Sequence, residues 1–126
     1  MPFWWEGLPK EELLDVSFSD LDLVIEGTWL SVCIKRLGQE LRAAGLRRFR
    51  PHFYLADEWC CADGIPGVGI PFYLAHPRLL RLENTMMLEV EGGTRRECMR
   101  LLRHESAHAL QHAYHLQRRR RWQKLF

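Results

Sequence analysis

Apolar positions recur at helical spacing most clearly after Gly27-Thr28. There Leu30, Cys33, Ile34, Leu37, Leu41 and Ala44 share one face, and Gly45 closes the run. A second helical run follows Gly92-Gly93: Thr94-Arg95-Arg96-Glu97 has the spacing of a capping box, with Thr94 as N-cap and Glu97 at N3. Beyond it Cys98, Leu101, Leu102, Ala109 and Ala113 give one side of the helix an apolar, small-residue surface, and no Gly or Pro interrupts the chain from Thr94 to Phe126. Pro9 to Val16 predicts a short first helix, started by Pro9 and the acids Glu11 and Glu12. Phe49 to Leu55 reads as a strand led in by Pro51, and Ile70 to Ala75 as a second strand stopped by Pro77. Asp20 to Glu26 alternates poorly and fits a short strand or a linker. Leu79 to Val90 fits both registers, and its end, Met86 to Val90, is expected to be a strand. Between the first two strands, Ala56 to Gly69 forms a long loop with Gly64, Pro66, Gly67 and Gly69. We expect this loop to border the functional cleft, with Trp59 near the second long helix.

The order helix, strand, loop, strand, strand, helix indicates an α+β fold: a short mixed sheet packed against two long helices. At 126 residues the chain is expected to form one domain, residues 1–126, with a single core. The start of the chain has neither a basic nor an apolar leader region, and no apolar run approaches a membrane span, so the expectation is a cytoplasmic protein without a membrane partner. The net charge of +2 conceals an asymmetry, because Arg118 to Arg121 and Lys124 lie beyond the last acid, Glu105. The rest of the chain carries 13 basic residues against 16 acidic ones. One basic run without interleaved aromatics suits a solvated helix end better than a nucleic-acid footprint. Cys33, Cys60, Cys61 and Cys98 show no Cys-x-x-Cys spacing and are expected to be reduced, Cys33 and Cys98 as core residues.

The second long helix carries the candidate chemistry. Within Leu101-Leu102-Arg103-His104-Glu105-Ser106-Ala107-His108 stands the pattern His-Glu-x-x-His. On a helix His104 and His108 lie one turn apart on the same face, so two imidazoles reach one metal ion. Glu105, about 100° round the helix, stands beside it as a general base. Zinc suits such a site, with one further protein ligand and an open position. His112 and His115 are read as surface residues, since a straight helix moves His112 about 12 Å along from His104. The longer three-histidine pattern fails, because Gln111 and Tyr114 occupy its glycine and last histidine positions.

Several stretches together resemble a bacterial family of zinc-binding metallopeptidases. They are Phe49-Arg50-Pro51-His52, Asp57-Glu58-Trp59, Gly64-Ile65-Pro66-Gly67, Pro71 to Leu79, and Leu102 to Ala109. The resemblance runs from about Glu11 to Phe126. It implies a zincin-like domain with Zn2+ held by His104 and His108, Glu105 as catalytic base, and a peptide or protein substrate. It further implies a third ligand, a glutamate from a segment following the metal helix. No Asp or Glu follows Glu105, so the expectation is that these residues are the N-terminal part of a longer protein, catalytically incomplete as they stand. Otherwise Glu83, Glu89, His76 or Cys60 would have to serve as the third ligand. The alternative from another class is a non-catalytic interaction domain that binds a protein through the basic tail and an exposed aromatic N-terminus, Phe3, Trp4 and Trp5.

Overall fold

In the computed structural model, the described residues are 3–61, 67–87 and 89–114, the last three of these (112–114) by backbone alone. A four-residue helix α1 (Lys10–Leu13) opens the chain, and a 3-10 turn follows at Phe18–Leu21. Then come helix α2 (Trp29–Ala43), strand β1 (His52–Ala56), strand β2 (Gly67–Pro71) and a second 3-10 turn (Phe72–Ala75). Helices α3 (Pro77–Met87) and α4 (Arg95–Tyr114) complete the order. The architecture is α+β, as the sequence predicts.

Helix α2 ends as its glycine dictates. Gly45 takes φ +89°, its N–H donates to Arg42 O, and the Leu46 N–H reaches back to Leu41 O at 2.9 Å. Strands β1 and β2 pair in parallel, His52 against Gly67 through Ala56 against Pro71. On the free edge of β2 the loop doubles back. Cys60 and Gly69 exchange both backbone hydrogen bonds in a single antiparallel bridge, at 2.8 and 3.2 Å. The expected mixed sheet is therefore a parallel pair with one antiparallel bridge among the described residues.

Three sequence expectations need correction, and a fourth segment, left open between strand and linker, is settled. Met86 to Val90 is not a strand: α3 runs to Met87, and residues 89–90 have no regular structure. Pro77, read as a strand stop, is the first residue of α3, where its missing N–H costs nothing. His76 precedes it with extended backbone, and its Nδ1 accepts the Arg78 N–H at 3.1 Å, capping the helix start. The predicted strand Ile70 to Ala75 is displaced to Gly67–Pro71, since Pro71 bends the chain into the 3-10 turn. Trp29 fastens that turn to α2 by donating its indole N–H to Leu74 O at 2.8 Å. Asp20 to Glu26 contains no strand; Asp22 there adopts the left-handed region at φ +53°.

The main core lies between the sheet, α2 and α4. Leu30, Cys33, Leu37, Val68, Ile70, Leu74, Cys98 and Leu102 are all nearly solvent-free. A smaller cluster holds the N-terminus, with Trp5 fully buried beside Leu13, Leu21 and Leu79. Arg78 locks this segment by donating to the carbonyls of Trp5, Glu6 and Leu8, while His76 Nε2 meets Glu6 Oε1 at 2.9 Å. His76 thus accepts through Nδ1 and donates through Nε2, so one neutral tautomer satisfies both bonds. The aromatic N-terminus packs onto the domain in this way. Only Trp4 is exposed, and its indole N–H still reaches Asp20 O.

Candidate metal site

Helix α4 is set at its start by a cap and a close approach. Thr94 Oγ1 accepts the Glu97 N–H at 3.2 Å, as the capping-box spacing predicts, and the Glu97 carboxylate lies 3.8 Å from Arg100. Gly92, at φ +84°, leaves room for Trp59, whose ring would stand 2.8 Å from any Cβ there. The Trp59 indole N–H donates to Glu91 O at 3.1 Å. Trp59 therefore borders the lead-in to α4, roughly 13 Å of helix rise before His104. These contacts are with residues 91 and 92, ahead of the helix, and residues 62–66 of the same loop lie outside the described residues.

One side of α4 packs into the core through Cys98, Met99, Leu102, Ser106 and Ala109. Cys98 hydrogen-bonds Cys33 on α2, and burial pushes its thiol pKa up. Further along, Arg103 donates two hydrogen bonds to Glu40 of α2, both at 2.8 Å. Residues 33 and 40 thus match residues 98 and 103 in the same order, so the two helices run in the same direction. The Arg103 guanidinium beside Glu40 holds its carboxyl below the usual carboxylate range, and Arg103 in turn is raised. The Glu40–Arg103 tie fixes α4 one residue before His104. No pattern in the sequence announces it, because it joins positions 63 residues apart.

The opposite side of α4 presents His104 and His108 to solvent. Their rings stand edge to face, with centroids 4.8 Å apart and planes at 85°. The two Nε2 atoms lie 3.3 Å apart, within hydrogen-bonding reach. This is slightly longer than the usual hydrogen-bond range of about 2.7–3.2 Å. Two nitrogens bound to one tetrahedral zinc at about 2.0–2.1 Å each would stand about 3.3–3.4 Å apart. The 3.3 Å between the two Nε2 atoms matches that spacing. Glu105, next in the chain, is half-buried. Among the described residues no group of three or more His, Cys, Asp or Glu is arranged to hold a metal. Of the alternative third ligands, His76 is committed to Glu6 and Arg78, and Cys60 Sγ lies 3.8 Å from the Tyr54 hydroxyl. Glu83 lies on α3 and Glu89 beyond its end. The side chain of His112, all of His115 and the basic tail fall outside the described residues. No described helix is long and apolar enough to cross a membrane.

Fold and site together define an α+β protein with a paired-histidine donor set on an exposed helix face. No family model, curated protein or solved structure matches the chain.

Proposed function

We propose that His104 and His108 are two ligands of a zinc site, and that the protein is a zinc-dependent peptidase with Glu105 as its general base. The single observation that carries this reading is the 3.3 Å separation of the two Nε2 atoms, which fits a shared tetrahedral ion. The motif spacing and the resemblance to zinc-binding metallopeptidases support it. When bound, zinc supplies Lewis acidity, polarising the scissile carbonyl and acidifying water.

The residues of the chain do the rest. Glu105 accepts the proton of the attacking water and returns it to the leaving amine. Its place directly after His104, on a capped helix tied to α2 through Arg103, supports this role. Catalytic zinc sites hold about three protein ligands, and the described residues bring two together.

The experiment compares peptide hydrolysis, with zinc added, by the protein and by its Glu105→Gln variant. The protein is expected to cleave. Glu105→Gln should keep the metal and lose the cleavage. Hydrolysis retained in Glu105→Gln would remove the glutamate from the mechanism. Zinc bound at the two histidines with no hydrolysis of any peptide would overturn the peptidase reading.

Of the aromatic surface that the interaction-domain alternative invokes, Trp4 alone is exposed, because Trp5 is fully buried and Phe3 stacks on it with centroids 5.1 Å apart.

A further inference from the structure

Helix α2 and the segment that enters β1 enclose a groove of about 340 Å3. Its floor is apolar: Leu37 and Phe49 are buried, and Ile34, Leu41 and Phe53 half-buried. Its rim carries Arg42, Arg47 and Arg50, all exposed, and no carboxylate lines it. Elsewhere on the surface Arg36, Arg100 and Arg103 each stand within ion-pair distance of a glutamate. Among the described residues the three groove arginines have no such partner. The imbalance is built into the chain, since Leu41 to Ala56 contains four arginines and one histidine and no acid.

Gly38 also lines the groove, in the interior of α2. Glycine there costs helix stability of about 1 kcal/mol relative to alanine. With no side chain here, the Arg42 guanidinium lies over this position, its Nη1 3.4 Å from where a Cβ would stand.

We infer that this groove is a docking site for an acidic peptide segment, with carboxylates on Arg42, Arg47 and Arg50 and an apolar side chain on the floor formed by Leu37, Leu41 and Phe49 beside Gly38. Arginine forks favour carboxylates, and an apolar floor rewards a buried aliphatic or aromatic anchor. A nucleic acid fits less well. Single strands need exposed aromatic platforms along an extended basic track, whereas Phe49 is 6% exposed and the groove is short. The inference stands apart from the zinc reading, because none of its residues belongs to the histidine site.

Fluorescence anisotropy of the full chain tests it, with a labelled peptide of roughly ten residues in which glutamates flank a central Leu-Phe pair. The controls are the same peptide with glutamine for glutamate, and a single-stranded DNA oligonucleotide. The glutamate peptide is expected to bind, and to weaken at least about tenfold with glutamine, in Arg47→Glu/Arg50→Glu, and on raising the salt concentration. Gly38→Leu should abolish binding while melting no lower than the parent, since leucine is the better helix former; loss of binding then has no folding explanation. His104→Ala/His108→Ala should bind unchanged. The proposal is overturned if neither peptide binds, if both peptides bind equally, if the oligonucleotide binds more tightly, or if Gly38→Leu keeps its affinity.

Discussion

Two small residues show how closely α4 and β2 are packed. Gly69 is paired on both edges, and a Cβ there would fall 2.4 Å from Cys60 Sγ and 3.1 Å from the Ala56 Cβ. Gly69→Ala must displace one of them and should destabilise the protein by about 1–3 kcal/mol, read from the urea midpoint. An unchanged midpoint would mean that Cys60 swings away freely. Ser106, inside the His-Glu-x-x-His motif, is 3% exposed, and its hydroxyl has no hydrogen-bond partner among the described residues. Burying an unpaired hydroxyl costs about 1–3 kcal/mol, so Ser106→Ala should raise stability by about 1 kcal/mol. A loss of similar size would show that the hydroxyl is bonded after all. Local chemistry of this kind is only partly legible in a sequence. Thr94 was readable as a cap because its partner is three residues away, and Gly45 as a helix stop because the left-handed conformation favours glycine. The need for Gly69 was not, because the atom it makes room for belongs to a loop that folds back from elsewhere.

Between elements, the Glu40–Arg103 pair ties α2 to α4 just ahead of the histidines. The side chains are 36% and 48% exposed, so the pair is worth less than about 1 kcal/mol at neutral pH. Its pH dependence has a definite sign. The carboxyl of Glu40 is lower in the folded protein than its ordinary value, so its contribution is present above the usual glutamate range. That contribution disappears as pH falls through the folded value. Glu40→Gln should therefore melt below the parent at pH 7, and the gap should close in acid. A gap that persists at a pH where both carboxyls are protonated would assign the effect to packing. His76-Pro77-Arg78 marks where element boundaries escaped the sequence. Proline looks alike at the end of a strand and at the first position of a helix, and the His76 cap that distinguishes them is made by an imidazole, an uncommon capping group. Met86 to Val90 failed for a related reason. Once a helix is started at Pro77, a stretch apolar in both registers follows the helix already under way.

At the scale of the molecule, α4 serves two environments at once. One face closes the main core through Cys98, Leu102 and Ala109, and the other holds two imidazoles in solvent. The pair was legible because i, i+4 spacing on a helix guarantees proximity. A third ligand was not, because its position depends on how distant segments meet. The α+β class could be read from the order of elements, whereas the size of the sheet could not. The central claim is that His104 and His108 share one metal ion, and metal content tests it most directly. After equilibration with zinc and removal of free ion, the parent chain should retain zinc, each single alanine variant less, and His104→Ala/His108→Ala none. The melting temperature of the parent alone should rise with zinc, since an ion that binds only the folded state stabilises it. Equal zinc in the parent and the double variant would contradict the account.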